Sequence, residues 1–312
     1  MSAQVIRLGT RASLLARRQS AQVAQQIETL HWGLRVQTIL IQTTGDQITD
    51  RPLHEIGGKG LFVKEVEQAL INGQIELAVH SAKDLPVTMP VIDETGLMIA
   101  AVPIRHDPRD VLISEKARAI SELPANARVA TGSLRRRCQL LSMRPDLQIL
   151  PLRGNVDTRI RKLRAGEADA IVLAMAGVQR AELFDPKIMW PIPLEELLPA
   201  PGQGCLALQC RKDDKITQDL LAPLNDSASA TCLEVERKVV NGLQGDCHSP
   251  IAALARIEGH VLMLRVAVGK RGGDPPLLFA AAAGPRDDYL SLVEEVLADL
   301  RKKGCDQHLH GR

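Results

Sequence analysis

Aromatic residues are scarce in this chain of 312 residues, which contains three Phe, two Trp and one Tyr. Proteins that bind single-stranded nucleic acids stack the bases on aromatic side chains. The sequence also contains no helix-turn-helix or zinc-finger pattern. Both absences argue against a nucleic acid as the binding partner.

Long apolar runs and paired cysteines are missing as well. No stretch approaches the length of a membrane span, and the N-terminal MSAQVIRLGTRAS reads as an early strand where a signal peptide would have a long apolar run. The six cysteines form no CxxC pair and predict neither a common zinc site nor a disulfide framework. We therefore expect a cytoplasmic protein with no membrane partner, no metal and mostly reduced cysteines.

The composition and the segment pattern predict a globular α/β chain with more than one domain. Hydrophobic residues make up 45% and charged residues 24%, which is ordinary usage for globular proteins. Strand-like runs such as VIRLGT and VQTILIQ alternate with helix-like runs such as LLARRQSAQVAQQIETL, and the alternation recurs from ARVATG to ADAIVLAMAGV. This βαβ pattern predicts two lobes, each with a largely parallel sheet covered by helices.

The pattern changes after the proline-rich segment DPKIMWPIPLEELLPAPGQG. From about residue 225, a long helix, three strands and a closing helix are typical of a smaller α+β domain with an antiparallel sheet. The strand-like CLALQCR that follows the prolines is assigned to the first lobe. We predict three domains, comprising residues 1–102 with 203–222, residues 103–202, and residues 223–312.

Positive charge is concentrated in one part of a chain whose net charge is only +2. TGSLRRR places Ser133, Arg135 and Arg136 at a strand-to-helix turn, and LRGNVDTR places Arg153 and Arg159 at another. Helix N-termini and guanidinium groups both bind carboxylates and phosphates. Two such turns in one lobe favour an anion site over the alternative, a solvated helix face. Because nucleic acid is disfavoured, we predict a small polycarboxylate as the ligand.

The first lobe has polar residues at the ends of two predicted strands. GTRAS places Arg11 and Ser13 at a strand-to-helix turn, and HSAKDLP places Lys83 and Asp84 between a strand and a proline. Open α/β sheets bind ligands at the carboxyl ends of their strands. An ionised Asp84 could accept hydrogen bonds from N–H donors and stabilise a developing cation. The alternative role for this residue is the capping of a turn.

The segment GDCHSP, residues 245–250, places a cysteine in a turn. Four roles are open for Cys247: a metal ligand, a nucleophilic thiolate, a covalent anchor, or a small apolar residue in a bend. Adjacent Cys247 and His248 cannot easily reach one ion, and no other histidine is marked as a partner for a thiolate. The strand predicted after the turn would support an anchor best.

Eight motifs, in order and at compatible spacing, resemble the porphobilinogen deaminase family. They are GTRAS, GGKGLFVKE, HSAKDLP, DPRD, TGSLRRRCQL, LRGNVDTR, PAPGQG and GDCHSP. The resemblance implies a monomeric cytoplasmic transferase of tetrapyrrole and haem biosynthesis, with two lobes similar to type II periplasmic binding proteins. It implies head-to-tail condensation of four porphobilinogen molecules with loss of ammonia, followed by hydrolytic release of hydroxymethylbilane.

The resemblance also implies roles for individual residues. Cys247 would hold a dipyrromethane cofactor through a thioether, and Asp84 would be catalytic, holding pyrrole N–H groups and stabilising the azafulvenium cation left when ammonia departs. The implied cofactor-binding residues are Cys247, Lys83, Asp84, Ser133, Arg135 and Arg136. The implied substrate-binding residues are Arg11, Ser13, Arg153, Arg159 and Arg180. Lys59 and Phe62 fall in a loop that resembles the family's lid.

Two positions depart from the family pattern. Asp246 stands where the family usually has glycine before the cysteine, and a neighbouring carboxylate should slow formation of the thiolate. Glu55 stands where many relatives have lysine before IGGKG, which removes one cation from the lid. The competing functions are a two-lobed binding module, a cysteine-dependent or zinc hydrolase, and a nucleic-acid-binding protein. A third domain with its cysteine argues against the binding module.

Overall fold

The computed structural model describes residues 4–43, 63–86, 96–246 and 249–311. These residues form two compact units, one comprising residues 1–105 and 205–230 and the other comprising residues 106–204 and 231–312. Several residues singled out by the sequence lie outside the described ranges: Glu55, Lys59, Phe62, Cys247 and His248.

The described residues contain strands and α-helices in alternation over most of the chain. The strands are β1 (Gln4–Arg11), β2 (Leu34–Ile41), β3 (Leu77–Ser81), β4 (Leu97–Ala101), β5 (Asp110–Ile113), β6 (Arg128–Ala130), β7 (Gln148–Leu150), β8 (Ala170–Ala174), β9 (Met189–Pro191), β10 (Leu206–Arg211), β11 (Ile251–Glu258), β12 (Val261–Val268) and β13 (Leu278–Pro285). The α-helices are α1 (Leu14–Leu30), α2 (Lys64–Ile71), α3 (Leu134–Met143), α4 (Val156–Arg164), α5 (Met175–Arg180), α6 (Lys215–Leu221), α7 (Ser227–Gly242), α8 (Tyr289–Lys302) and α9 (Cys305–His310). Short 3-10 helices cover Ala82–Asp84, Ile120–Glu122, Ala222–Leu224 and Arg286–Asp288.

The first unit is built on a five-stranded sheet with the order β2-β1-β3-β10-β4. Strand β1 runs parallel to β2 and β3, whereas β10 runs antiparallel to β3 and β4. The residue Leu206 at the start of β10 lies opposite Ser81 at the end of β3. The carboxyl ends of β1 and β3 therefore share one edge of the sheet with the beginning of β10.

The second unit contains a five-stranded sheet with the order β7-β6-β8-β5-β9. Strand β6 runs parallel to β7 and β8, and β5 runs antiparallel to β8 and β9. Asp110, the first residue of β5, lies opposite Ala174, the last residue of β8. Asp110 thus enters the sheet at the edge where three parallel strands end.

A three-stranded antiparallel sheet, β11-β12-β13, also belongs to the second unit and packs with helix α8. The predicted combination of α/β sheets with a smaller α+β part is therefore confirmed. Strand β10 lies in the first sheet, although it follows the proline-rich segment by only a few residues. The division of the chain into three domains stays a prediction.

Burial on both faces explains the composition of the central strands. All five residues of β8, AIVLA, are buried, because β8 is the central strand of the sheet and its alternate residues pack into two separate apolar cores. In the first unit, helix α1 buries Val23 and Ile27 in the same core as Leu8 of the neighbouring β1. These rigid cores fix the strand ends at which the candidate site residues stand.

Candidate functional site

Helix α1 begins directly after a serine, as the GTRAS motif predicts. Ser13 has extended backbone geometry, and its Oγ accepts a hydrogen bond from Ala16 N at 3.3 Å, which satisfies one of the free amides at the start of the helix. Arg11 is the last residue of β1 and is half-buried. Both residues therefore lie at the carboxyl end of a strand, where a ligand site was expected.

Lys83 and Asp84 follow strand β3 in a short 3-10 helix. Asp84 is exposed and Lys83 is half-buried, so the carboxylate of Asp84 can be reached from solvent. The buried Gln19 of α1 donates from Nε2 to Ser81 Oγ at 2.9 Å, just before this helix. Gln19 thus joins α1 to the end of β3 and holds the two predicted site segments in register, a role that the sequence did not reveal.

A buried chain of hydrogen bonds supports the same strand end from inside the sheet. His80 Nε2 donates to Gln209 Oε1 at 3.0 Å, and Gln209 Nε2 donates to Glu67 Oε1 at 2.9 Å. Burial lowers the pKa of His80 to about 4, although its hydrogen bond to Gln209 opposes the shift, and the charge of Arg11 lowers the pKa further. His80 is therefore neutral near pH 7 and acts as a donor with a fixed tautomer.

In the second unit, Ser133 begins helix α3 as TGSLRRR predicts. Ser133 Oγ accepts a hydrogen bond from Arg136 N at 3.4 Å, and Ser133 N donates to Thr131 Oγ1 at 3.2 Å. A Cβ atom on Gly132 would stand 2.8 Å from the carbonyl oxygen of Leu152. The glycine thus permits the turn after β6 to pass close to the segment that follows β7.

The two predicted anion-binding arginines of α3 are buried against one carboxylate. Arg135 and Arg136 are 4% and 5% exposed, and Asp110 is fully buried. Arg136 donates to Asp110 Oδ1 from Nε at 3.0 Å and from Nη2 at 2.7 Å. Arg135 Nη1 donates to Leu198 O at 2.6 Å and lies 2.8 Å from Asp110 Oδ2 in an ion pair.

This cluster of three charged groups carries a net positive charge, since two guanidinium groups share one carboxylate. Burial alone would raise the pKa of Asp110, but the charges of Arg135 and Arg136 more than offset it and hold that pKa well below its usual range. Burial lowers the pKa of Arg135, an effect that Asp110 opposes. Arg135 Nε is buried and has no hydrogen-bond partner among the described residues. An additional anion would complete this arrangement.

The remaining predicted arginines lie near the same edge of the second sheet. Arg153 is half-buried after β7, and Arg159 on α4 donates from Nε to Gly154 O at 2.7 Å. Arg180, at the end of α5, donates from Nη2 to Gly204 O at 2.9 Å. Because β6, β7 and β8 are parallel neighbours, the segments that follow them bring these arginines to the edge occupied by Arg135 and Asp110.

The structure adds residues that the sequence had not assigned to the site. Asp110 is part of the DPRD motif and Gln203 of PAPGQG, so both motifs had been noticed without a role for these side chains. Gln203 Nε2 donates to Asp110 Oδ1 at 3.0 Å. The chain of His80, Gln209 and Glu67 had no local signal at all, because 129 residues separate the first two.

The described cysteines are poorly suited to nucleophilic chemistry. The five of them are buried free thiols: Cys138, Cys205, Cys210, Cys232 and Cys305. Burial raises the pKa of Cys138 and of Cys210 to about 11. Within the described ranges, no group of three or more His, Cys, Asp or Glu residues could hold a metal ion, and no helix is long and apolar enough to cross a membrane.

The described residues on either side of Cys247 and His248 are hydrogen-bonded to each other. Ser249 Oγ donates to Asp246 Oδ1 at 2.8 Å, and Asp246 N donates to Ser249 Oγ at 2.9 Å. Ser249 N also donates to Asp246 O at 3.1 Å. The unusual Asp246 is thus engaged with Ser249 in a reciprocal turn.

Comparisons with known proteins are consistent over nearly the whole chain. The family model "Porphobilinogen deaminase, dipyromethane cofactor binding domain" matches residues 6–219, and "Porphobilinogen deaminase, C-terminal domain" matches residues 230–283. A curated porphobilinogen deaminase of Syntrophotalea carbinolica is 48% identical over 309 residues, covering 99% of this chain and 96% of that protein. The porphobilinogen deaminase of Syntrophobacter fumaroxidans is 43% identical over 305 residues, covering 98% and 97%.

Solved structures with a similar fold include periplasmic and nutrient-binding proteins. The periplasmic VFT2 domain of Bordetella pertussis BvgS aligns with a TM-score of 0.41 and 17% identity, covering 75% of this chain and 92% of that one. A methionine-bound nutrient-binding protein from Burkholderia cenocepacia aligns with a TM-score of 0.42 and 16% identity, covering 77% and 96%.

Proposed function

The chain belongs to the porphobilinogen deaminase family, and from this membership we propose how its residues divide the work of the reaction. The enzyme joins four porphobilinogen molecules head to tail and releases hydroxymethylbilane by hydrolysis. In each condensation a C–N bond breaks as ammonia leaves, and a C–C bond forms between the methylene carbon that lost ammonia and a free pyrrole α-carbon. That α-carbon then gives up its proton. The dipyrromethane cofactor, when bound, supplies the first free pyrrole α-carbon.

Asp84 is proposed as the catalytic carboxylate. Loss of ammonia from porphobilinogen leaves positive charge on the substrate, and an ionised carboxylate placed beside that charge lowers the barrier to its formation. The same oxygens can accept hydrogen bonds from pyrrole N–H groups and so orient the ring. In support, Asp84 is exposed at the carboxyl end of β3, and the strand end is fixed by Gln19 and by the buried His80.

The proposal for cofactor binding rests on the buried cluster of Arg135, Arg136 and Asp110. Each pyrrole ring brings an acetate and a propionate, and the cluster has one positive charge more than Asp110 can neutralise. A carboxylate of the cofactor would balance that charge, and the buried Arg135 Nε shows that the arginine still has a donor to offer. The residues present therefore fit a group rich in carboxylates. The N-terminus of α3, which Ser133 caps, would add its partial positive charge to the same site.

The remaining roles follow the same electrostatic logic. Lys83 is proposed to bind cofactor carboxylates, and Arg11, Ser13, Arg153, Arg159 and Arg180 to bind those of the substrate. Cys247 would hold the cofactor through a thioether, and Lys59 and Phe62 would belong to a lid that keeps water from the reacting carbon. We further propose a cytoplasmic monomer of three domains.

The mass of the intact protein tests the attachment directly. The protein purified from a host that makes porphobilinogen is expected to exceed its sequence mass by two linked pyrrole units, and Cys247→Ser is expected to match its sequence mass and to be inactive. Replacement of the buried Cys210 by Ser serves as the matched control and should retain the added mass. A wild-type mass equal to the bare sequence would overturn the anchor and reopen the metal and nucleophile alternatives for Cys247.

A further inference from the structure

A buried glutamate of helix α7 holds the turn that precedes strand β10. Glu236 is fully buried, its Oε2 accepts a hydrogen bond from Gly202 N at 2.6 Å, and its Oε1 accepts one from Ala255 N at 2.8 Å. A buried carboxylate is stable only when its oxygens accept hydrogen bonds that replace those it made to water. Glu236 therefore ties the turn to both α7 and β11.

The turn itself needs two glycines and presents a buried amide. Gly202 and Gly204 have φ values of +73° and +91°, in the left-handed region that favours glycine. Between them, Gln203 is fully buried, and its backbone N–H donates to Ala200 O at 2.9 Å. The position of the Gln203 side chain is thus determined by the turn that Glu236 holds.

The amide of Gln203 reaches the buried carboxylate of the arginine cluster. Its Nε2 donates to Pro108 O at 2.7 Å and to Asp110 Oδ1 at 3.0 Å. Both contacts are to acceptors, so the amide nitrogen must face Asp110. Three donors then converge on Oδ1, two from Arg136 and one from Gln203, which leaves Oδ2 facing Arg135.

We propose that Gln203 and Glu236 are positioning residues for the pair Arg135 and Arg136. Glu236 fixes the turn, the turn fixes Gln203, and Gln203 fixes the rotation of the Asp110 carboxylate that the two guanidinium groups share. The inference depends on the proposed role of these arginines in binding carboxylates of the cofactor or substrate. Through Glu236, helix α7 would therefore help to set the geometry of that site.

Substitutions of Gln203 should change how KM depends on pH, which substitutions of a merely structural residue would not do. Gln203→Glu keeps the shape but replaces the donor with a charged acceptor facing Asp110, whereas Gln203→Leu removes the donor without adding a charge. Among the described residues, the side chain contacts Asp110 on β5, which Arg135 and Arg136 on α3 share. The backbone of the turn contacts Glu236 through Gly202 N, and Arg180 and His106 through Gly204 O. A protonated carboxyl at position 203 can again donate to Asp110, so acidification should restore the contact only in Gln203→Glu.

The experiment measures KM for porphobilinogen, kcat and cofactor content by mass, for each variant relative to wild type, between pH 8.5 and 6. At pH 8 both variants should show a KM raised about three- to tenfold with kcat within about twofold, as expected for part of one charge-assisted hydrogen bond. Towards pH 6 the KM ratio of Gln203→Glu should fall, while that of Gln203→Leu should stay constant. Gln307→Glu, the same substitution at an exposed position on α9, should match wild type throughout.

Glu236→Gln tests the other end of the chain of contacts, and it covers the case in which the Gln203 variants do not fold. It keeps the volume and one acceptor, and we expect the same direction of change in KM with a smaller size. If the folded variants all have the KM of wild type, the inference is overturned while the function stands. If instead wild type itself lacks the cofactor mass, the proposed function fails, whatever the variants do.

Discussion

At the scale of single residues, the site is organised by charges whose partners lie far away in sequence. Arg135 and Arg136 were expected to point at a ligand, yet the structure gives each a contact with the buried Asp110. Such a cluster is stable only as a set, because removal of one member leaves an uncompensated charge away from water. Asp84, in contrast, is exposed and is not locked into a buried pair.

Asp84→Asn tests the catalytic carboxylate. The substitution keeps the size of the side chain but removes the negative charge that would stabilise the cation formed when ammonia leaves. We expect turnover to fall on the order of a hundredfold or more, with substrate still bound. Steady-state kinetics of porphobilinogen consumption measure the effect. The control, Asp219→Asn on the exposed face of α6, should keep full turnover, and retention of more than about a tenth of turnover in Asp84→Asn would contradict the role.

Asp110→Asn tests the buried cluster through stability. The comparison is between Cys247→Ser and the double variant that also carries Asp110→Asn, so that the cofactor does not contribute to either stability. Loss of the carboxylate leaves two buried guanidinium groups without their shared partner, and we expect the free energy of unfolding near pH 7 to fall by about 3–5 kcal/mol. Urea unfolding followed by circular dichroism measures the difference.

The loss of unfolding free energy caused by Asp110→Asn should depend on pH in a defined direction. The pKa of Asp110 is lower in the folded protein than in the unfolded chain, where it is about 3.9. Its contribution is therefore fully present above about pH 5 and is lost as the pH falls through 4 towards the folded value. The unfolding free energies of the two proteins should converge on acidification from pH 5 to pH 3. A gap that stays constant over this range would show that the Asp110 charge is not the cause.

At the scale of secondary structure, the strand-to-helix turns decide where the functional groups stand. Two of the three helices that follow a predicted site turn begin with a serine cap, Ser13 for α1 and Ser133 for α3. The third helix, α4, begins after Asn155, whose side chain makes no capping hydrogen bond. The cap determines the first residue of the helix, and the helix in turn determines which side chains project from its first turn. The turn before α3 is also compact, because Gly132 lies against the backbone of Leu152.

Gly132→Ala tests this close approach. The added Cβ would stand 2.8 Å from Leu152 O, a backbone atom that cannot move independently, so the turn must shift. We expect a loss of about 1–3 kcal/mol in the free energy of unfolding and reduced cofactor content by mass. Gly272→Ala is the matched control, since its Cβ would meet only Asp274 Oδ2 at 3.4 Å, and it should change neither quantity. Equal stability of the two variants would contradict the packing argument.

At the scale of the whole molecule, the burial of the described thiols bears on which cysteine can hold a cofactor. The five described cysteines are buried within the cores of the two units, and burial disfavours their thiolates. The sixth, Cys247, lies outside the described residues, between Asp246 and Ser249 in the sequence, and these two residues are hydrogen-bonded to each other. The burial of the other five thiols supports the proposal that the cofactor is attached at Cys247.

Alkylation of the native protein at pH 8 tests this selectivity. Thiols with a pKa of about 11, such as Cys138 and Cys210, carry about one thiolate in a thousand at that pH. We expect protein made without porphobilinogen to gain one alkyl group, at Cys247, and both the loaded enzyme and Cys247→Ser to gain none. Mass spectrometry counts the groups. Modification of a described cysteine in the folded protein at a comparable rate would refute the explanation by burial.

Cofactor attachment should also stabilise the molecule, because a group bound only to the native state shifts the folding equilibrium. The loaded enzyme is therefore expected to melt at a higher temperature than Cys247→Ser. Differential scanning calorimetry of the two proteins measures the shift, with Cys210→Ser in its loaded form as the reference for a conservative cysteine substitution. Identical melting temperatures of the loaded enzyme and Cys247→Ser would contradict the expected linkage.

The sequence by itself determined the features that depend on neighbouring residues. The alternation of strand and helix, the serine caps of α1 and α3, and the antiparallel sheet near the C-terminus are readable because periodicity and capping act over a few residues. The order and spacing of eight motifs, HSAKDLP and TGSLRRR among them, indicated the family by resemblance, and these two motifs place polar residues near strand ends. Arg11, Asp84 and Arg153 could therefore be located at strand ends before any fold was known.

Only the tertiary structure decided which charges share a partner. Asp110 and Arg136 are 26 residues apart, and Gln203 and Asp110 are 93 apart, so no local pattern links them. The same holds for Glu236, which reaches Gly202 across 34 residues, and for His80, Gln209 and Glu67. Burial makes such contacts obligatory, because a charged or polar group away from water must find donors or acceptors wherever the fold brings them. Sequence patterns indicate which face of a helix or strand is buried. The packing of the whole unit determines which side chains contact that face.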